Sequence, residues 1–252
     1  MVNVELGERL AEAGAAVLAI LDPEQLPPVK GGAYFSGVPD VMLRQIHRQA
    51  LNSPIITLSM SIREGAIPTA RKIDWDLIEQ GDVVLCAFNR TRRALNVEIR
   101  RRRHYRGLYP EDGECVVCLR NDYSRGVLNG VTYTVVGTRT IGVGGDNLKM
   151  IVRDDDGAEF EAVVPKECFA SDIDPHTVRP ELNPFDFGYC ITCHKSQGSE
   201  WGRVVVIDES AEYARCAVGN TPGDWARKQM SKRWLYTAIT RASERVDIMR
   251  SE

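Results

Sequence analysis

Short, unbroken apolar runs constrain this chain more than any other feature. Ala16 to Leu21, and Asp82-Val-Val-Leu-Cys-Ala-Phe88, lack the polar alternation of a strand with one wet face, so both read as parallel strands buried on two sides. The first stops at Asp22-Pro23. The second leads into Asn89, a helix-capping residue, and a helix carrying Ala94, Leu95 and Ile99 on one face. Strand, turn and helix in that order predict an α/β fold built on a parallel sheet.

Around these runs, Glu5 to Ala13 reads as the end of an amphipathic helix and Val38 to Gln49 as a second strand or an approach to a helix. Pro54, at a tolerated first-turn position, opens a helix through Ile62, and Gly65 to Lys72 reads as linker. From Glu114 the texture changes. Cys115 to Arg120, Val131 to Val136, Leu148 to Arg153 and Glu159 to Val164 are short β-type runs with turn signals at Asn129-Gly130, Gly144-Gly145 and Asp156-Gly157, which predicts a small antiparallel barrel. Regular α/β texture returns at Tyr189, so the barrel is expected to interrupt an α/β domain.

The length of 252 residues bounds the chain at one to two domains. Without an apolar stretch of about 18 residues or more, or a basic-then-apolar leader after Met1, it is expected in the cytoplasm with no membrane contact. Seven cysteines, an odd number, fit reduced thiols. The net charge of -3 conceals an asymmetry: residues 90–106 hold eight arginines and one glutamate, or +7, which leaves -10 elsewhere. A polyanionic partner is therefore not excluded by overall acidity. The pairs Cys115/Cys118 and Cys190/Cys193 have zinc-like spacing, but both lie in strand-like runs where residues three apart project to opposite faces, so no metal is expected there.

The chemistry concentrates in Thr192-Cys-His194-Lys195-Ser-Gln197-Gly198-Ser-Glu200 and Leu235-Tyr-Thr237-Ala-Ile-Thr240-Arg241-Ala242, with Val204-Val-Val-Ile207 between them. These segments resemble motifs V and VI of superfamily 1 DNA helicases. Leu21-Asp22-Pro-Glu-Gln25-Leu-Pro27-Pro28-Val29 and Leu43-Arg-Gln-Ile-His-Arg48-Gln49-Ala resemble motifs III and IV, in the order those enzymes use. With the inserted barrel, the chain is similar to RecD-like (exodeoxyribonuclease V alpha-type) helicases of superfamily 1B. The resemblance implies a RecA-like, P-loop NTPase type domain over residues 73–112 and 186–252, interrupted by an SH3-like β-barrel at 113–185. It further implies that residues 1–72 are the remnant of a truncated first RecA-like domain.

By the same resemblance, Arg241 is the arginine finger at the start of a helix, Arg48 a second contact to the γ-phosphate, and Gln25 the link between phosphate and DNA. These three would be catalytic. Gln197, Gly198 and Glu200 would join them around the nucleotide, with Glu200 reaching the ribose. Thr192, His194, Lys195, Asn89 and Arg92 would face the DNA backbone. Each has a plainer reading as a surface or core residue, and the other arginines of residues 90–106 stay open between DNA contact and a solvated face. Trp201 and Tyr105 are candidates for base stacking or for the core.

A P-loop needs a glycine-rich turn followed by Lys and Ser or Thr. Gly142 to Gly145 is followed by Asp146-Asn147 and reads as a hairpin instead. The resemblance implies that the chain begins just after a Walker B box, without Walker A or the Mg2+ carboxylates. The expected function is the C-terminal portion of an ATP-dependent helicase that translocates 5′ to 3′ on single-stranded DNA, inactive alone. It would use ATP and Mg2+ in the complete motor, of which this chain is either a fragment or one half, the other half then being a separate chain bearing Walker A and B. The alternative is a non-catalytic single-stranded nucleic-acid-binding or adaptor protein.

Overall fold

The computed structural model describes residues 2–14, 16–28, 32–35, 37–42, 53–219 and 223–250. Within them lies a five-stranded sheet of β1 (Arg71–Lys72), β2 (Val83–Cys86), β8 (Cys190–Thr192), β9 (Trp201–Ile207) and β10 (Ala242–Arg250), ordered β1-β10-β9-β2-β8. Every pairing in it is parallel. Successive residues alternate between two helical layers, as the two-residue strand period requires. Val83, Leu85, Val204 and Val206 pack with Ile55 and Ile62 of α2 (Pro54–Glu64) and with Trp234, Leu235 and Ile239 of α7 (Asp224–Ile239). Val84, Cys86, Val205 and Ile207 face Ile78 of α3 (Trp75–Gln80) and Leu95 and Ile99 of α4 (Asn89–Arg102). The uninterrupted apolar runs follow from this burial on both sides.

A second sheet is antiparallel, ordered β6-β5-β4-β3-β7, from β3 (Cys115–Cys118), β4 (Thr132–Ile141), β5 (Asn147–Arg153), β6 (Glu159–Pro165) and β7 (Phe185–Phe187). Its edges approach each other at Asn183, whose N–H donates to Val163 O at 2.7 Å and whose Oδ1 accepts from Val163 N–H at 3.4 Å. The sheet therefore curls around Val116, Tyr133, Met150, Val152 and Phe185.

The chain passes from β7 through Gly188 into β8. A Cβ at Gly188 would lie 2.7 Å from Cys115 Sγ and 3.0 Å from the Val116 carbonyl carbon, so the joint between the sheets admits no side chain. Helix α4 holds that joint with Arg92, Asn96 and Arg100, a polar stripe at i, i+4 and i+8. Arg92 pairs with Asp186 of β7, Asn96 Oδ1 accepts from Cys190 N–H at 2.8 Å, and Arg100 binds Glu114. The expected apolar face of this helix is thus half polar. Ala94 is exposed, and the helix starts with Phe88 in the cap position and Asn89 in its first turn.

Two N-terminal expectations are corrected or fall outside the structure. Helix α1 spans Val4–Glu12, but Ala16 to Leu21 is exposed coil, with Leu18 86% and Ile20 88% accessible. A buried strand needs a hydrogen-bonded neighbour, and no described residue pairs with this segment, since β1 and β8 form the sheet's edges. Residues 38–42 are likewise coil, and the motif IV segment from Leu43 to Ala50, with Arg48, lies outside the described residues.

Cys190 packs in one helical layer and Cys193 in the other, so these two thiols face opposite sides of the sheet. Burial pushes Cys115 and Cys168 up to about 12 and Cys118 up to about 11, and raises Cys190 and Cys193 as well. Because the thiolate is the reactive species, a colorimetric disulfide reagent should label the exposed Cys216 rapidly in the native protein. The other six thiols should react only in denaturant. Rapid native labelling of more than one would show that the sheet opens.

Candidate functional site

Residues 193–200 leave the C-terminal end of β8 and enter the N-terminal end of β9, so this loop crosses from one edge of the parallel sheet to the other. Cys193 N–H still pairs with Cys86 O at 2.9 Å. Ser196 N–H then bonds Thr192 O at 3.1 Å, Ser196 Oγ donates to Cys193 O at 2.8 Å, and Ser199 N–H reaches Ser196 O at 3.1 Å. Gly198 takes a φ of +90°, a region that disfavours side chains.

At the β9 and β10 entry edge, the segment from Asp22 to Leu26 docks on α7. Leu26 is buried, its N–H donates to Thr237 Oγ1 at 2.9 Å, and Tyr236 OH donates to Asp22 Oδ2 at 2.7 Å. Burial, reinforced by the Asp22 carboxylate, pushes the Tyr236 phenol up to about 12, so it stays a donor. Gln197 Nε2 donates to Leu26 O at 3.2 Å. Motif-like segments more than 170 residues apart in sequence are thereby joined.

Arg241 follows the C-terminal turn of α7 and precedes β10, rather than starting a helix as the sequence reading has it. Thr240 N–H closes the last helical turn on Tyr236 O at 3.0 Å, and the chain must then enter the sheet, where Trp201 N–H donates to Arg241 O at 2.9 Å. The half-buried guanidinium donates to Thr237 O and Ser199 O, each at 3.2 Å, and to Thr240 Oγ1 at 3.4 Å. All three acceptors are neutral, and among the described residues Arg241 makes no ion pair. Glu200 is exposed on a cleft of about 520 Å³ between the two sheets, with Asp82, Arg103, Tyr189 and Trp201 also on its walls.

At the opposite edge, beyond the C-terminal ends of β2, β8 and β9, stand Asn89, Thr192, His194 and Lys195. Open α/β sheets bind ligands at this edge. Thr192 is buried at the end of β8. His194 Nε2 lies 3.2 Å from Tyr213 OH in α6 (Ser210–Val218), and burial lowers its basicity. Burial, with Arg92 nearby, brings Lys195 down to about 8. Asn89 is exposed, and its Oδ1 accepts from Arg92 Nε at 3.3 Å.

Arg92 differs from its expected place at a DNA surface. It is 3% exposed and its guanidinium is held by Asp186 and Asp172, so its charge is spent inside the protein. Much of the arginine-rich segment is committed similarly: Arg90 to Glu212, Arg93 to Asp172, Arg100 to Glu114, and Arg101 and Arg102 to Glu98. Trp201 packs partly against the core.

Sequence reading missed Glu209. Its carboxylate accepts from Ala87 N–H at 2.8 Å and from Thr91 Oγ1 at 2.5 Å, tying the end of β2 and the first turn of α4 to the end of β9. It also missed Tyr213, Tyr236 and Thr237 as the anchors of His194, Asp22 and Leu26. Their partners are distant in sequence, and no local pattern signals them.

Residues 187–249 match the UvrD-like helicase C-terminal domain family. The ATP-dependent RecD2 DNA helicase of Deinococcus radiodurans is 26% identical over 270 residues, covering 92% of this chain and 32% of that protein. The conjugal transfer protein TraA of Rhizobium radiobacter is 26% identical over 237 residues, covering 77% of this chain and 20% of that protein. The chain thus spans a third or less of the length of these relatives. Among solved structures, the Pif1 helicase of Candida albicans shares the fold at a TM-score of 0.50 and 16% identity, over 90% of this chain and 61% of that one.

Proposed function

We propose that this chain, whose residues 187–249 carry a UvrD-like helicase C-terminal domain, is the C-terminal portion of an ATP-dependent helicase that translocates on single-stranded DNA, 5′ to 3′ by resemblance. In this reading the parallel sheet with its helices is the second RecA-like domain. The curled antiparallel sheet is an SH3-like insertion, and the residues before α2 belong with a first RecA-like domain, whereas α2 and β1, expected in that remnant, pack on and pair within the second domain's sheet.

The observation that carries the reading is Arg241. A cation held only by neutral oxygens, beside the docked Asp22 to Leu26 segment, is oriented but not neutralised. It is suited to meet a phosphate when a P-loop-bearing domain closes on it. ATP would supply the phosphoanhydride whose cleavage powers movement. Among the described residues there is no group of three or more His, Cys, Asp or Glu side chains that could hold a metal ion, and the contact proposed for Arg241 is with the phosphates.

Coupling would run through the 193–200 loop. Gln197 binds the segment carrying Gln25, Ser199 binds Arg241, and His194 and Lys195 stand at the opposite edge. A shift of Arg241 or Leu26 on nucleotide binding would therefore be felt at the proposed DNA surface through the short stretch of loop backbone between His194 and Ser199.

Single-strand affinity should fall with salt by about 0.7 log units per log salt for each phosphate neutralised. Binding indifferent to salt would count against the reading. Hydrolysis that appears only when a Walker-bearing domain is supplied, in the same polypeptide or as a separate chain, would support it; DNA binding with no hydrolysis in that mixture would favour a non-catalytic adaptor.

Lys195 gives a pH test. Its ammonium loses its proton near 8 rather than at the usual 10.5, so attraction for phosphate is complete below that pH and lost above it. Affinity for oligo-dT should weaken from pH 7.5 to 9.5 in the wild type. It should stay flat with Lys195→Arg, whose guanidinium remains charged, and be weak throughout with Lys195→Gln. A pH profile identical in all three would remove Lys195 from the DNA surface.

A further inference from the structure

The α6–α7 hairpin extends beyond the edge where His194 and Lys195 stand. Strands β9 and β10 are parallel, so α7 must run from the C-terminal edge of the sheet back towards the N-terminal edge. Trp234, in its second half, is level with the end of β8, its carbonyl oxygen 3.8 Å from Cys193 Sγ. Trp225 lies nine residues earlier, which at the helical rise places it about 13 Å further out.

That overhanging half of α7 has an unusual face. Trp225, Lys228, Gln229, Lys232 and Arg233 fall at i, i+3, i+4, i+7 and i+8, hence on one side. Trp225 is 74% exposed. Beside it runs a groove of about 400 Å³ whose walls include Val218, Met230 and Arg233. Lys228, Lys232 and Arg233 make no ion pair among the described residues, whereas most arginines of α4 are matched by carboxylates. An uncovered indole flanked by unmatched cations complements a chain of phosphates bearing unstacked bases.

We propose that this face of α7 is a second contact for single-stranded DNA, with Trp225 stacked on a base and Lys228, Lys232 and Arg233 bonded to the flanking phosphates. The inference rests on the helicase reading but names a surface outside the motif-like segments. It continues the proposed His194 and Lys195 edge outward along the hairpin.

The test is titration of the 252-residue chain with labelled oligo-dT, following both anisotropy and tryptophan emission. Trp225 is exposed, so Trp225→Ala should keep the wild-type thermal midpoint. It should bind about 5- to 100-fold more weakly, in line with loss of one base stack, and should lose the DNA-induced quenching of emission. The triple variant Lys228→Gln, Lys232→Gln, Arg233→Gln should lower the salt slope by about 2. Wild-type affinity, quenching and slope in these variants, while Lys195→Gln binds weakly, would overturn the α7 contact and leave the helicase reading intact. No binding by the wild type would overturn both. A concentration-dependent dimer abolished by Trp225→Ala, with DNA affinity unchanged, would give the face to a second copy of the chain instead.

Discussion

Arg241→Ala is expected to lower ATP turnover by at least about 10³-fold in a motor completed by a P-loop-bearing domain, with little change in single-strand affinity. The side chain's three bonds, at 3.2 to 3.4 Å, are at the long end for N–H···O contacts and engage only neutral oxygens. They aim the guanidinium without satisfying its charge. The C-terminal carbonyls of α7 add a favourable field for a cation there. A phosphate oxygen accumulating negative charge would form shorter, charge-assisted bonds in their place, so the gain is concentrated in the transition state and kcat should fall more than KM rises. Arg241→Lys should rescue poorly, because an ammonium cannot reproduce the planar fork. The three bonds lost are long, so the variant's thermal midpoint should barely move. Turnover equal to wild type in Arg241→Ala would remove the residue from the phosphate site and leave the reading without its main support.

The parts of the fold that periodicity could reveal were those whose burial is decided locally. Val83 to Cys86 and Val204 to Ile207 are apolar at every position because both sides of the sheet are covered, and the pattern says so directly. Ala16 to Leu21 has the same pattern but no paired neighbour among the described residues, and pairing is a property that no single segment encodes. Arg92 illustrates the converse limit. In sequence it is one of a row of arginines, and only the fold brings Asp172 and Asp186 to it from 80 and 94 residues away. The loop from Thr192 to Glu200 was legible as a motif, whereas the contact of Tyr213 with its His194, and those of Tyr236 and Thr237 with Asp22 and Leu26, were not. Residue type signals chemistry, but the partner that orients it is chosen by topology.

The same topology makes the Arg100–Glu114 pair the place where a single substitution should destabilise most. Glu114 is fully buried and accepts from Arg100 Nε at 2.7 Å and Nη2 at 2.8 Å, and also from Glu111 N–H at 2.9 Å. Arg100, 8% exposed, donates further to Gly107 O and Tyr109 O and stacks 4.1 Å from the Phe187 ring centroid. Glu114→Ala would leave that guanidinium buried without its counter-charge, a change that costs about 3–5 kcal/mol. At about 2–4 °C per kcal/mol for a domain of 150–250 residues, the thermal midpoint should drop by about 6–20 °C. Joint replacement, Arg100→Met with Glu114→Leu, removes both charges and should recover much of the loss, because the penalty comes from the orphaned cation rather than from the missing attraction. Arg153→Ala, breaking a 2.7 Å pair with Glu159 whose partners are each 47% exposed, should cost no more than about 1 kcal/mol. A Glu114→Ala protein that melts like Arg153→Ala would mean that water reaches Arg100, and that the joint between the two sheets is looser than its hydrogen bonds imply.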